Sequence, residues 1–146
     1  MKLVHLVVGV ACIALMGSAG VWGAWCWYRV RQSAWFWRLL RAGQAAIVIE
    51  AALGGVLVLQ GRKDSGLHLI YGLLPLGISF VAEQLRIASA QMVMDSRGFE
   101  SSADVGKLAE SEQRVVVVTI LQRELGVMVL AALVILVLLI RAAGTG

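Results

Sequence analysis

The chain contains two histidines, His5 and His68. Each stands close to one end of a long apolar stretch. His68 sits in L-H-L-I-Y-G-L-L-P (67–75), which also holds Tyr71 and Pro75, the single proline of the sequence. Two imidazoles on separate helices at matched depth form the axial ligand pair of a b-type haem, whose iron accepts a nitrogen from either face. Gly9 and Gly72, each four residues beyond its histidine, leave room for a flat porphyrin. On this reading His5, His68 and Tyr71 are candidate haem-binding residues, with His5 and His68 the ligands to iron. The competing reading is a pair of inert histidines at helix entries.

A second group consists of charges set within apolar stretches: Glu50, Glu83, Arg86, Arg123 and Glu124. Glu50 follows Arg41 by nine residues, about 13 Å along a helix. A carboxylate in hydrocarbon must be protonated, paired or turned toward water. Arg123 and Glu124 stand at a similar count from Val115, so a Glu50–Arg123 pair is expected, with Glu124 turning to Arg86 or Gln84. Glu83 and Arg86 are three apart and share a helix face. With Gln44 and Gln122 these residues form an expected polar network, either an ion-pair system that fixes helix register or a proton path, ion site or quinone pocket. No line of carboxylates continues to the opposite face, which argues against a complete channel.

The elements that carry these residues follow from the apolar pattern. Of 146 residues, 60% are hydrophobic and 15% charged, against about a quarter charged in a soluble domain. The apolar residues form four blocks, about 4–27, 40–59, 67–89 and 115–140, each long enough to cross a bilayer at roughly 20 residues per span. The expected fold is all-α, a single integral membrane domain built as an up-down-up-down four-helix transmembrane bundle. The run that begins M-K-L-V-H continues apolar to Trp27, too long for a secretory h-region, and is read as a retained first helix. Q-G-R-K-D-S-G (60–66) is a polar turn. In the polar stretch 94–114, Ser102 or Asp104 is expected to cap a short helix, with an amphipathic lead-in from Val105 into span four.

The basic residues give an orientation. The loop 28–39 and its borders carry Arg29, Arg31, Arg38 and Arg41 without an acid, and the loop 90–114 adds Arg97, Lys107 and Arg114. Positive charge favours the cytoplasm, so both loops are expected inside and both termini outside, in a cell (inner or cytoplasmic) membrane. W-C-W-Y (25–28) and W-F-W (35–37) bracket the first loop as an interfacial belt. Gly20 with Ala24 and Ala51 with Gly55 are small-xxx-small pairs that let helices approach closely. Span four, bulky and branched, is expected to face lipid more broadly.

Several classes are excluded. The basic balance, +4 formally, is spread beside membrane segments and does not form a run that tracks nucleic acid. Cys12 and Cys26 lie about 21 Å apart along one helix, beyond disulfide reach. Ser65, Asp64 and His68 make a triad only on paper, because neighbours in a turn do not converge. A catalytic activity of its own is not expected. The leading expectation is an accessory or structural subunit of a larger membrane complex, respiratory or energy-converting, with other membrane subunits, lipids and quinone as partners. The alternatives are a haem b electron carrier using His5 and His68, and a small oligomeric transporter with a polar site at Glu50 and Arg123.

Overall fold

The computed structural model describes residues 2–61 and 66–145. Five helices follow in order: α1 (Lys2–Tyr28), α2 (Ala34–Leu59), α3 (Gly66–Asp95), α4 (Ser102–Gly106) and α5 (Glu110–Ala143). The described residues contain no strand. α1, α2, α3 and α5 are each long and apolar enough to cross a membrane. In hydrocarbon every backbone polar group must be satisfied internally, and the helix does this within one segment.

The helices outrun the expected spans. α2 begins at Ala34, so the expected loop 28–39 shrinks to the turn 29–33. The segment W-F-W-R-L-L-R is helical, because its arginines lie along the helix and stack on indole rings with no need of a loop. α3 continues to Asp95 and α5 starts at Glu110, well beyond the expected boundaries at 89 and 115. The amphipathic lead-in expected from Val105 is interrupted, since α4 ends at Gly106 and α5 restarts after Ala109. Ser101, and neither Ser102 nor Asp104, is the N-cap of α4; Asp104 closes a capping box with it. α3 runs through Pro75, which is buried. Proline there has no N–H to give to the Tyr71 carbonyl. Asp64 and Ser65 of the paper triad lie outside the described residues.

α5 is the hub, contrary to the expectation that it faces lipid more broadly. It packs against α1 and α3, and half of its apolar window is buried against 22% or less for the other three. The reason lies in α1. Its glycines form a groove that receives the bulky side chains of α5. A Cβ at Gly17 would lie 3.6 Å from Leu136, at Gly20 2.7 Å from Leu133, and at Gly23 2.7 Å from Val129. Small residues on one helix and branched residues on the other are complementary halves of one van der Waals contact. Gly20 thus belongs to an interhelical contact, whereas Gly55 has nothing within 4 Å of its Cβ position and is exposed.

The same analysis gives the α1–α2 register. Gly23 meets Phe36, Gly43 meets Met16, Gly54 faces His5, and Gly9 faces Glu50. Residue numbers rise along α2 as they fall along α1. Phe36, Met16, Leu40, Ile47, Leu125, Met128 and Ile135 are the large side chains sealed inside. Among the four long helices, α2 and α3 share a far smaller contact than α3 with α5, α1 with α2 or α1 with α5.

Two helix ends use the same closing motif with different residues. After α3, Phe99 N–H donates to Met94 O and Gly98 N–H to Asp95 O, with Gly98 at φ 72°. After α1, Arg31 N–H donates to Cys26 O and Val30 N–H to Trp27 O, with Val30 at φ 52°. Both are Schellman closures. Glycine takes the left-handed position freely, whereas a β-branched residue there is a genuine outlier, costing about 1–3 kcal/mol.

Candidate functional site

Glu50 has no contact with Arg123. Its Oε1 lies 3.1 Å from Nδ1 of His5, with the two side chains 18% and 15% exposed. The carboxyl is seated against α1 where a side chain is missing: a Cβ at Gly9 would lie 2.8 Å from Oε1. Gly54, one turn beyond Glu50, gives the His5 ring an ordinary contact at 3.6 Å. The α1–α2 interface is therefore cut to fit this pair.

His68 completes the group from α3. Its ring lies edge-on to that of His5, with centroids 6.0 Å apart and planes at 71°. His68 Nδ1 is 3.0 Å from the carbonyl of Ala142, in the last turn of α5. A carbonyl only accepts, so Nδ1 of His68 carries the proton. All four spanning helices thus contribute to one place: His5 from α1, Glu50 from α2, His68 from α3 and a terminal carbonyl from α5. Cys12, fully buried one turn beyond Gly9, is a free thiol.

This geometry bears on the porphyrin expected between Gly9 and Gly72. The space at Gly9 is filled by the Glu50 carboxylate, so a haem there would first have to displace it. Gly72 is open, with nothing within 4 Å of its Cβ position. Tyr71 is half-buried one turn from His68. Among the described residues no group of three His, Cys, Asp or Glu side chains has the geometry to hold a metal ion.

Glu83, Arg86 and Glu124 gather with Arg41 away from the histidines. Glu83 is the centre. Arg41 donates to both of its oxygens, Gln44 donates from 3.2 Å, and Arg86 Nε donates from 3.2 Å. Arg86 also reaches Glu124, at 3.7 Å. The indole of Trp37 carries Arg86 at 5.6 Å and Arg41 at 6.0 Å from its ring centroid, so a flat aromatic face helps hold both guanidinium groups in place. The cluster joins α2, α3 and α5.

Arg123 stands apart. It is exposed and forms no ion pair among the described residues. Its neighbour Gln122 donates to Trp27 O at 2.9 Å, and Gly126 packs on the Trp27 ring. Arg123 therefore lies level with the last turn of α1, whereas Glu50 lies level with Gly9. That difference is eighteen residues of helix, about 27 Å. Counting depth from Val115 misplaced Arg123, because α5 begins at Glu110 and its first turns run past the end of α1.

The sequence marked Glu50, Glu83, Arg86, Arg123, Glu124, His5 and His68. It missed the role of Arg41 and Trp37, although W-x-x-x-R at helical spacing was available as a signal. It also missed that Gly9 makes space for a carboxylate. Comparison with protein-family models, curated proteins and solved structures found no match.

Proposed function

We propose that this chain is a multi-pass subunit that works inside a larger assembly of the cell membrane, arranged up-down-up-down with both termini outside and the arginine-rich turn 29–33 in the cytoplasm. The observation that carries this reading is the separation of its two polar groups. His5, Glu50 and His68 lie at one end and Glu83, Arg86 and Glu124 at the other. Between them Met16, Leu40, Ile47, Met128 and Ile135 of α1, α2 and α5 are buried apolar side chains. Such a body is tied together by its charges and conducts nothing across itself. The exposed Arg123, level with Trp27, is available to an acid on a neighbouring subunit. Native mass spectrometry after gentle extraction from the source membrane tests the proposal. The expected particle is much heavier than 15.7 kDa and contains unrelated membrane proteins. A homogeneous monomer or bare homo-oligomer would overturn it.

A second reading, a small oligomeric transporter coupled to protons, is favoured by one observation, the His5–Glu50 pair beside His68. An ionisable group inside a membrane is a functional candidate by default. It predicts proton-driven uptake in proteoliposomes that Glu50→Gln abolishes. The haem-binding electron carrier has less support, because of the carboxylate seated at Gly9.

A further inference from the structure

The turn between α1 and α2 carries charge that the other described residues leave unmatched. All nine acidic residues lie at or beyond position 50. Four arginines precede it in the turn and the start of α2. Arg41 is taken by Glu83. Arg29, Arg31 and Arg38 are exposed and form no ion pair among the described residues.

Two of these three cations are held in place by aromatic rings. The Arg29 guanidinium lies 4.7 Å from the centroid of Trp25, and that of Arg38 lies 5.3 Å from Trp35. The turn itself is fixed at both ends. Trp22 Nε1 donates to Ser33 Oγ at 2.8 Å, and the Schellman closure at Val30 locks Arg29 to Arg31. Indole rings favour the headgroup level of a bilayer. Guanidinium groups match phosphate oxygens with paired donors. Cations already stacked lose less freedom when they close on an anion.

We propose that Arg29, Arg31 and Arg38 form a binding site for the phosphate headgroup of an anionic phospholipid, with Trp25 and Trp35 ordering the arginines from below. The lipid occupies the turn face at the level of Trp25, its headgroup against the guanidinium groups and its chains along the exposed apolar flank of Val21 and Trp22. This rests on the membrane reading alone and holds whether or not the chain joins a larger complex.

The test uses the purified full chain in detergent, with equimolar phosphatidylglycerol and phosphatidylcholine of matched acyl chains, followed by native mass spectrometry. The expected result is preferential retention of phosphatidylglycerol. Arg29→Gln/Arg31→Gln/Arg38→Gln should reduce that preference at least about five-fold, as expected from phosphate-contact electrostatics. Arg141→Gln, at the histidine end, should leave it unchanged. Trp25→Leu/Trp35→Leu keeps every charge and should reduce it about three-fold through loss of cation stacking. Free inorganic phosphate in excess should not displace the lipid. Retention that survives the arginine substitutions, or that Arg141→Gln lowers equally, overturns the site. So does displacement by free phosphate, or indifference to the tryptophan substitutions, since bare charge would then suffice.

Discussion

Nδ1 of His5 and Oε1 of Glu50 face each other at 3.1 Å across the α1–α2 interface, in a space that exists because residue 9 has no side chain. The pair joins a ring and a carboxyl from two helices, and the ring of His68 arrives beside His5 from a third.

Removing either member should take from the other its contact across the α1–α2 interface. Glu50→Gln and His5→Gln are each expected to lower the melting temperature in detergent. The double variant should lose less than the sum, with a coupling of about 1–3 kcal/mol for groups in direct contact. Thermal melts of the four proteins check this. Additive losses would mean that the two groups do not interact in the folded protein.

The glycines should separate by what stands opposite them. At Gly23 an added Cβ would lie 2.5 Å from the Phe36 ring and 2.7 Å from Val129, so Gly23→Ala should cost about 1–3 kcal/mol through overpacking. Gly55 faces open space within the helix, and Gly55→Ala should stabilise by about 0.5–1 kcal/mol. Gly9→Ala meets only the mobile end of Glu50 and should fold, while weakening the His5–Glu50 coupling measured above. Equal effects at Gly23 and Gly55 would contradict the α1–α2–α5 packing.

Val30 and Gly98 occupy the same position in two equivalent helix closures. Val30→Gly should relieve a left-handed strain of about 1–2 kcal/mol at an entropic cost of about 0.5–1 kcal/mol, a small net gain. Gly98→Val should lose stability by a similar strain. Unfolding of both variants by denaturant titration reads the opposite signs.

The capping box of α4 gives a pH dependence outside the membrane-spanning segments. Lys107, donating from 2.8 Å, holds the Asp104 carboxyl below the ordinary aspartate range, and Ser101 adds to this from its hydroxyl and backbone N–H. A depressed folded-state value means the box is fully formed above the unfolded aspartate range and is lost as pH falls through the lower folded value. Amide protection factors across 101–107, exchange rates corrected for the intrinsic pH dependence of the unfolded chain, should therefore be constant through neutral pH and fall only in acid. Asp104→Asn should remove the pH dependence of protection and leave it low throughout.

Hydropathy made the four spans legible, because a helix that crosses a bilayer has no other way to satisfy its backbone. Depth was not legible. Arg123 and Glu50 have similar counts from Val115 and Arg41, yet α5 begins before Val115 and its first turns run past the end of α1, so Arg123 lies level with Trp27 and Glu50 level with Gly9. Arg38 and Arg41 read as loop because cations in an aromatic stretch resemble a boundary, while Trp35 and Trp37 allow them to sit along a helix. The facing of α5 was hidden for a related reason. Bulk signals lipid exposure only if no neighbour is cut to receive it, and the receiving groove at Gly17, Gly20 and Gly23 is on another helix. The polar clusters were visible as residue types; their grouping depended on interhelical register, which no single segment encodes.

The position of the first acid in the chain has a consequence for biogenesis. Chains emerge from the ribosome N-terminus first and fold in that order. Residues 1–49 are neutral or basic, and the ring that meets Glu50 is made before it. The first hairpin, complete by Leu59, therefore carries the match for its only carboxylate within itself. It can settle in the bilayer electrically balanced at that level while α3 and α5 are still being synthesised. Glu83, by contrast, finds Arg41 already in place on a finished helix. For Glu50 and Glu83 the order of charges along the chain doubles as an order of assembly, each being made after the His5 imidazole or the Arg41 guanidinium that meets it.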